Sequence, residues 1–172
     1  PRDTTLALIP LTPCREESGT VRERLDATGI RRWADLGLAA LGRHREEIDA
    51  LNVFPVPDGD TGTNMYLTFE AASSALDDAD QAEANDPAES LSALARGALL
   101  GARGNSGIIL SQIVRGFSEA FVGVEQVATG TAAAGVAHVT DLATAFRRAA
   151  DSAYAAVAEP REGTVLSVAR AA

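Results

Sequence analysis

Residues 52–65 read Asn-Val-Phe-Pro-Val-Pro-Asp-Gly-Asp-Thr-Gly-Thr-Asn-Met, and this stretch constrains everything around it. Its first half cannot be helix. Pro55 and Pro57 lack backbone donors and push Phe54 and Val56 toward extended geometry. Its second half predicts a tight turn, with Asp58 and Asp60 flanking Gly59, so that two carboxylates leave one short bend. Close carboxylates repel, and protonation or a bound cation relieves the repulsion. An oxygen-rich site without His or Cys suits a hard ion, Mg²⁺ or Ca²⁺. Thr61, Gly62, Thr63 and Asn64 then supply hydroxyl, amide and backbone donors just before an apolar helical pattern begins at Met65. Small donors at a helix start form a ready anion site. Metal ligands beside anion donors point to a Mg–phosphate site. The competing reading is an ordinary Asp-Gly-Asp turn followed by a helix cap. A calcium loop of the EF-hand kind does not fit, because its closing Glu is absent and Glu70 already lies inside the next helical pattern.

Composition narrows the chemistry. A chain of 172 residues suits one domain with a real core, and 46% hydrophobic with 23% charged residues reads as globular. The net charge of −9 argues against nucleic acid or an anionic membrane as the main partner. A polyphosphate would have to bind through local donors and cations against that field. Every basic side chain other than His is Arg, which excludes a Schiff-base lysine and a Walker-type loop. The single Cys14 cannot form an internal disulfide, and four-Cys zinc sites are excluded. No apolar run approaches a membrane span and no signal-peptide pattern is present, so a cytoplasmic location without membrane insertion is expected.

Taken in order, residues 1–28 read as an N-terminal extension, loosely ordered, with a helical turn around Val21 to Leu25. From Ile30 to Leu51, apolar residues at Ile30, Trp33, Leu36, Ala40, Leu41, Ile48 and Leu51 follow a helical period. His44 sits among charged neighbours and reads as part of a solvated face. After the loop, Met65, Phe69, Ala72 and Leu76 share one helical face, and the acidic residues 77–87 read as a solvated connection. A helix resumes near Ala88 with Leu91, Leu94, Ala95, Ala98 and Leu99 as its stripe. Residues 101–107, Gly-Ala-Arg-Gly-Asn-Ser-Gly, then break the helix and permit close backbone approach. Asn105 or Ser106 caps the next helix, residues 108–121, with Ile109, Ile113, Phe117 and Phe121 in phase. Two donor-rich, glycine-lined helix starts in one chain favour a shared anionic ligand. Arg103 between them reads as an outward, solvated charge. A further helix spans residues 141–158, with Leu142, Phe146, Ala149, Ala153 and Val157 in phase and His138 as a neighbour of its cap. Another helix begins at Thr164. No strand alternation is evident. The expectation is an all-α fold of about six helices.

Three stretches carry a resemblance: residues 52–65; residues 101–112, Gly-Ala-Arg-Gly-Asn-Ser-Gly-Ile-Ile-Leu-Ser-Gln; and residues 159–168, Glu-Pro-Arg-Glu-Gly-Thr-Val-Leu-Ser-Val. In this order they resemble the nucleotide-binding domain of the bacterial fatty acid kinase catalytic subunit, which is similar to the ADP-binding L subunit of dihydroxyacetone kinase. The resemblance covers residues 30–172 and implies a kinase nucleotide-binding domain over residues 29–172. Its fold would be an antiparallel helical barrel or bundle with the nucleotide site in loops at one end. In that family a further Gly-containing segment follows the third motif, so the domain is expected to be truncated at its C-terminus and inactive alone. The resemblance implies an ATP-dependent phosphotransferase that turns a fatty acid, held by a separate carrier protein, into an acyl phosphate. Its cofactors would be one or two Mg²⁺ ions with ATP or ADP.

Asp58 and Asp60 would hold the metal. Thr61, Gly62, Thr63 and Asn64, with Gly104, Asn105, Ser106 and Gly107, would hold the phosphates. One departure stands out. The dihydroxyacetone kinase relatives carry a third Asp five residues before the first, where this chain has Val53, which leaves Asn52, the nearest oxygen donor, as the candidate third metal ligand and Asp49 further back. The Val-Phe-Pro-Val-Pro run leans toward the fatty acid kinase branch. The alternatives are an L-type subunit of a dihydroxyacetone kinase, a non-catalytic helical nucleotide-binding module, and a purely structural helical domain. A homodimer stays open.

Overall fold

The structure, a computed structural model, describes residues 12–15, 21–52, 57–81, 86–128, 137–157 and 164–171. Six helices form the body: α1 (Ala27–Leu51), α2 (Thr61–Gln81), α3 (Pro87–Leu100), α4 (Gly104–Ala128), α5 (Val139–Ala155) and α6 (Val165–Ala171). Successive helices pack on one another, and α2 also packs on α4. This is the expected all-α bundle. None of the described helices is long and apolar enough to cross a membrane.

Sequence chemistry sets the helix ends. Asp26 accepts from the Gly29 amide at 2.7 Å and so starts α1 a turn earlier than the apolar period indicates. Asp86 caps α3, with Pro87 at its first position, where a missing amide costs nothing. Gly101 closes α3 by donating its amide to Gly97 O at 2.9 Å. Other boundaries depart from expectation, α5 among them, which runs Val139–Ala155 rather than 141–158. Residues 61–64 form the first turn of α2 rather than a loop before it, and α2 runs on to Gln81, so Asp77 and Asp78 stand exposed on a helix. Helix α4 begins at Gly104, not Ile108, because the donor-rich glycine stretch itself winds into the first turn.

Short strands that the sequence pattern does not signal accompany the helices. Strands β1 (Thr12–Arg15), β2 (Val21–Leu25) and β3 (Ala137–His138) form a small antiparallel sheet in that order, with Cys14 opposite Arg22 and Arg24 opposite His138. Val21 and Leu25 lie four residues apart, which suits one face of a helix or of a strand equally. Of the extension, residues 1–11 and 16–20 lie outside the described residues. So do the geometry of residues 53–56, the Phe121 and Leu142 side chains, and residues 159–163 of the third motif.

The core is built largely from the expected stripes. Phe69, Ala72 and Leu76 of α2, Leu91, Leu94 and Ala98 of α3, and Phe117 of α4 are buried together with Ile30, Ala34, Val114 and Ala149. An aromatic series crosses the bundle. Trp33 of α1 meets Phe69 edge-on at 5.8 Å and stacks on Phe117 at 5.8 Å, and Phe117 meets Phe146 of α5 at 5.0 Å. Such pairs contribute about 0.5–1.5 kcal/mol beyond their burial. They tie α1, α2, α4 and α5 together behind the glycine turns. Leu36, Leu51 and Leu99, expected in the stripes, are exposed instead. Leu51 is the last residue of α1, and Leu99 lies off the Gly97–Ala98–Gly101 side of α3 that packs on α2.

Candidate functional site

The two glycine-lined helix starts meet. The first turn of α4 lies across the first two turns of α2. Ser106 Oγ donates to Thr61 O at 3.4 Å, and the Arg103 amide donates to Thr68 Oγ1 at 3.0 Å. Thr68, fully buried, passes its own hydroxyl proton to Asn64 O at 2.7 Å, so one side chain fastens the 101–104 turn to α2. Glycine is what permits the approach. A Cβ on Gly107 would lie 2.3 Å from Thr68 Oγ1, and one on Gly104 would lie 2.4 Å from Asn64 Nδ2. Gly104 also has φ of 57°, a left-handed conformation that side chains with a Cβ avoid.

The Asp-Gly-Asp turn sits beside this junction, between α1 and α2. Gly59 takes φ of 63°, which turns the chain so that Asp58 and Asp60 both stand exposed. Asn52, the C-cap of α1, donates its side-chain amide to Asp58 Oδ1 across the mouth of the loop. Asp60 O accepts the Asn64 amide at 2.8 Å, the first helical hydrogen bond of α2. A Cβ on Gly62 would lie 2.3 Å from Arg45 O, so the α2 start presses directly on the backbone of α1.

Asp49 supplies the contact that the sequence reading did not assign. From the last turn of α1 it accepts the Thr63 amide at 3.0 Å on one carboxylate oxygen and the Thr63 hydroxyl at 2.7 Å on the other. Burial pushes its carboxyl up. The hydrogen bonds from the Thr63 side chain, the Thr63 amide and the Gly62 amide, together with the Arg45 charge, outweigh that and hold it below the usual carboxylate value. The Thr63 amide and hydroxyl expected for phosphate are thus spent on a protein carboxylate. At the α4 start the case differs. The Gly107 amide makes the first helical bond, to Arg103 O at 2.9 Å, which leaves the amides of Gly104, Asn105 and Ser106 ahead of it where a helix end has unspent donors. Arg103 and Asn105 are exposed there, so the Arg103 side chain does face solvent.

The residue types suit magnesium bound together with a phosphate. Among the described residues no group of three or more His, Cys, Asp or Glu converges on a metal position. Two exposed carboxylates with an amide beside them supply the few protein oxygens that Mg²⁺ uses when waters and substrate phosphates complete its shell. His44, expected on a solvated face, is exposed and paired with Glu47 at 3.0 Å.

A family model described as the DAK2 domain matches residues 55–172, a span that includes the Asp58–Asp60 turn, both sides of the α2–α4 junction and α6. The chain belongs to the DAK2 domain family. This is a family of nucleotide-binding helical domains related to dihydroxyacetone kinase. Among curated proteins, the chain is 42% identical over 143 residues to protein YloV of Bacillus subtilis, covering 81% of this chain and 24% of YloV. It is 40% identical over 134 residues to an uncharacterized protein of Staphylococcus saprophyticus, covering 78% of this chain and 22% of that protein. An uncharacterized protein of Staphylococcus aureus strain USA300 is 38% identical over 134 residues, with the same coverage of 78% and 22%. The chain therefore spans about a quarter of the length of these relatives.

Proposed function

We propose that this DAK2 domain binds Mg²⁺·ATP and donates the γ-phosphoryl group to the carboxylate of a fatty acid held by a separate carrier protein. The observation that carries the reading is the junction of the two helix starts beside the Asp58–Asp60 turn, fastened by Thr68. Phosphoryl transfer needs positioning and charge neutralisation more than covalent protein chemistry. Asp58 and Asp60 would hold the metal, with Asn52 orienting Asp58. The metal, when bound, neutralises charge on the phosphate oxygens. The amides at Gly104, Asn105 and Ser106 would hold phosphate oxygens at the α4 start. Asn64 and Thr61 keep that start in register with the turn. A carboxylate oxygen of the acyl acceptor attacks the γ-phosphorus, the bond to the β-phosphate bridging oxygen breaks, and acyl phosphate and ADP leave.

The choice of a fatty acid rests on the Val-Phe-Pro-Val-Pro run and the fatty acid kinase resemblance, and the choice of a kinase rests on family membership. The test uses the full-length protein with labelled ATP, Mg²⁺, a fatty acid and its carrier, with lipid products separated by thin-layer chromatography. Label in an acyl phosphate is expected. Label in dihydroxyacetone phosphate instead, in the presence of a substrate-binding K-type subunit, would assign the dihydroxyacetone kinase role. Magnesium-independent nucleotide binding, or none, would sink both.

A further inference from the structure

Helix α2 presents its N-terminus to the candidate site, yet that terminus is already satisfied from within the protein. The Thr63 amide and the Thr63 hydroxyl converge on one carboxylate, Asp49, fourteen residues earlier. That carboxylate stands where an external anion would otherwise be drawn by the helix end. The same contact closes the loop that carries the two candidate metal ligands. The chain leaves α1 after Asp49, is clasped at its mouth by Asn52 on Asp58, passes Gly59 and Asp60, and returns to Asp49 through Thr63. The Asp58–Asp60 turn is thus pinned on both sides to the last turn of α1.

We propose that Asp49 is a positioning residue with two effects: it closes the α2 helix start to phosphate, and it holds the Asp58–Asp60 turn in the geometry that takes the metal. Phosphate is thereby directed to the α4 start, whose amides meet no such internal anion among the described residues. The second effect rests on the proposed Mg²⁺·nucleotide reading; the first does not. The groups are chemically matched. A carboxylate has two oxygens, and here each takes its own Thr63 donor. Charge-assisted bonds of this kind are about twice as strong as neutral ones.

The experiment compares Asp49→Ala, Asp49→Asn, Thr63→Val and Asp58→Ala in the same chain, each first checked for native helix content. The first readout is the Mg²⁺ concentration that gives half-maximal ATP-dependent thermal protection. Thr63→Val, which loses the hydroxyl bond and keeps the amide bond, should raise it by about tenfold, the equivalent of one lost charge-assisted hydrogen bond, and Asp49→Ala, which loses both, should raise it further. Their double variant should be no worse than Asp49→Ala, because the one bond that Thr63→Val removes is already lost when the carboxylate is gone. Asp49→Asn keeps an acceptor oxygen for Thr63 and should fall between wild type and Asp49→Ala. The second readout is thermal protection by inorganic phosphate with chelator present. Asp49→Ala should show more protection than wild type, since the Thr63 amide at the α2 start becomes free beside the α4 start; a merely structural loss cannot produce that gain.

Wild-type Mg²⁺ dependence in folded Asp49→Ala would overturn the positioning of the turn. Equal losses in Asp49→Asn and Asp49→Ala would do so too, by assigning the effect to charge alone. No gain in phosphate protection in Asp49→Ala over wild type would overturn the closed helix start. Asp58→Ala separates the two levels. If it leaves Mg²⁺ dependence intact, the metal assignment fails, and the phosphate readout still decides the first effect.

Discussion

Gly104 lies against Asn64, so close that a Cβ at 104 would come within 2.4 Å of Asn64 Nδ2. The Asn64 amide is the end of a flexible side chain and can swing aside. The backbone of Gly104 cannot be relieved so easily, because its φ of 57° is left-handed. A residue with a Cβ there costs about 1–2 kcal/mol in place or pulls the turn out of shape. Gly104→Val should therefore weaken Mg²⁺·ATP binding more than Arg103→Ala, whose side chain faces solvent and whose amide bond to Thr68 survives the substitution. Calorimetric titration of both folded variants checks this. A larger loss in Arg103→Ala would make the guanidinium, not the close backbone approach, the main phosphate partner.

Asp58→Ala and Asp60→Ala should each abolish Mg²⁺-dependent nucleotide binding while changing stability by no more than about 0.5 kcal/mol, the usual range for exposed positions. Both side chains are exposed, and α2 is started by the backbone oxygen of Asp60, which alanine retains. Chemical denaturation and calorimetry on the same samples separate the two effects. Unchanged Mg²⁺·ATP affinity in both variants would remove these residues from the site.

Much of the site was legible because its elements are punctuated by residues with few structural options. Pro55, Pro57, Gly59 and Gly104 interrupt the helical periods, and the two interrupted places are the ones that the fold brings to one junction. The stripes Phe69–Ala72–Leu76 and Leu91–Leu94–Ala98 are buried because a 3.6-residue period registers a face. The same period does not say how wide a stripe the neighbour covers, so it could not separate buried Leu94 and Ala98 from Leu99 at the margin, although Gly97 and Gly101 on either side press on α2. Asp49 and Thr68 were not assigned for a different reason. Each acts on a partner 14 or 35 residues away, and neither spacing can be read without the path of the intervening chain. The α4 start was misread because glycines count against a helix in propensity, while here they are needed at its first turn for contact with α2.

Gly97 provides a test of packing that leaves the site's own groups untouched. A Cβ on it would lie 2.6 Å from Ala75 Cβ, 2.7 Å from Ala71 O and 2.9 Å from Ala72 Cα, so two of its three nearest atoms are backbone. Nothing there can swing away, and α3 would have to move off α2. Gly97→Ala should destabilise by about 1–3 kcal/mol despite the better helix propensity of alanine, because overpacking outweighs the roughly 1 kcal/mol gained. Urea denaturation of the purified variant measures it. Stabilisation would mean that the α2–α3 contact is looser than these distances require.

The Asp49–Thr63 contact also predicts an acid signature. The Asp49 carboxyl is held below its ordinary value of 3.8, after its donors and Arg45 outweigh the opposing effect of burial. A group whose folded value is depressed contributes stability that is present above the unfolded value and lost as pH falls through the folded one. Its contribution should therefore be complete at neutral pH, begin to fade as pH drops past 3.8, and vanish once the folded carboxyl is protonated. Asp49→Asn cannot titrate. The difference in melting temperature between wild type and Asp49→Asn should be in favour of wild type and constant at neutral pH, and should shrink in acid below that value. Thermal melts of both proteins across an acid-to-neutral series, without metal or nucleotide, measure the difference directly. A gap that stays constant into strong acid would mean that the two Thr63 bonds do not depend on the charge of Asp49. A gap that widens in acid would mean that the carboxyl is raised by burial rather than lowered by its donors.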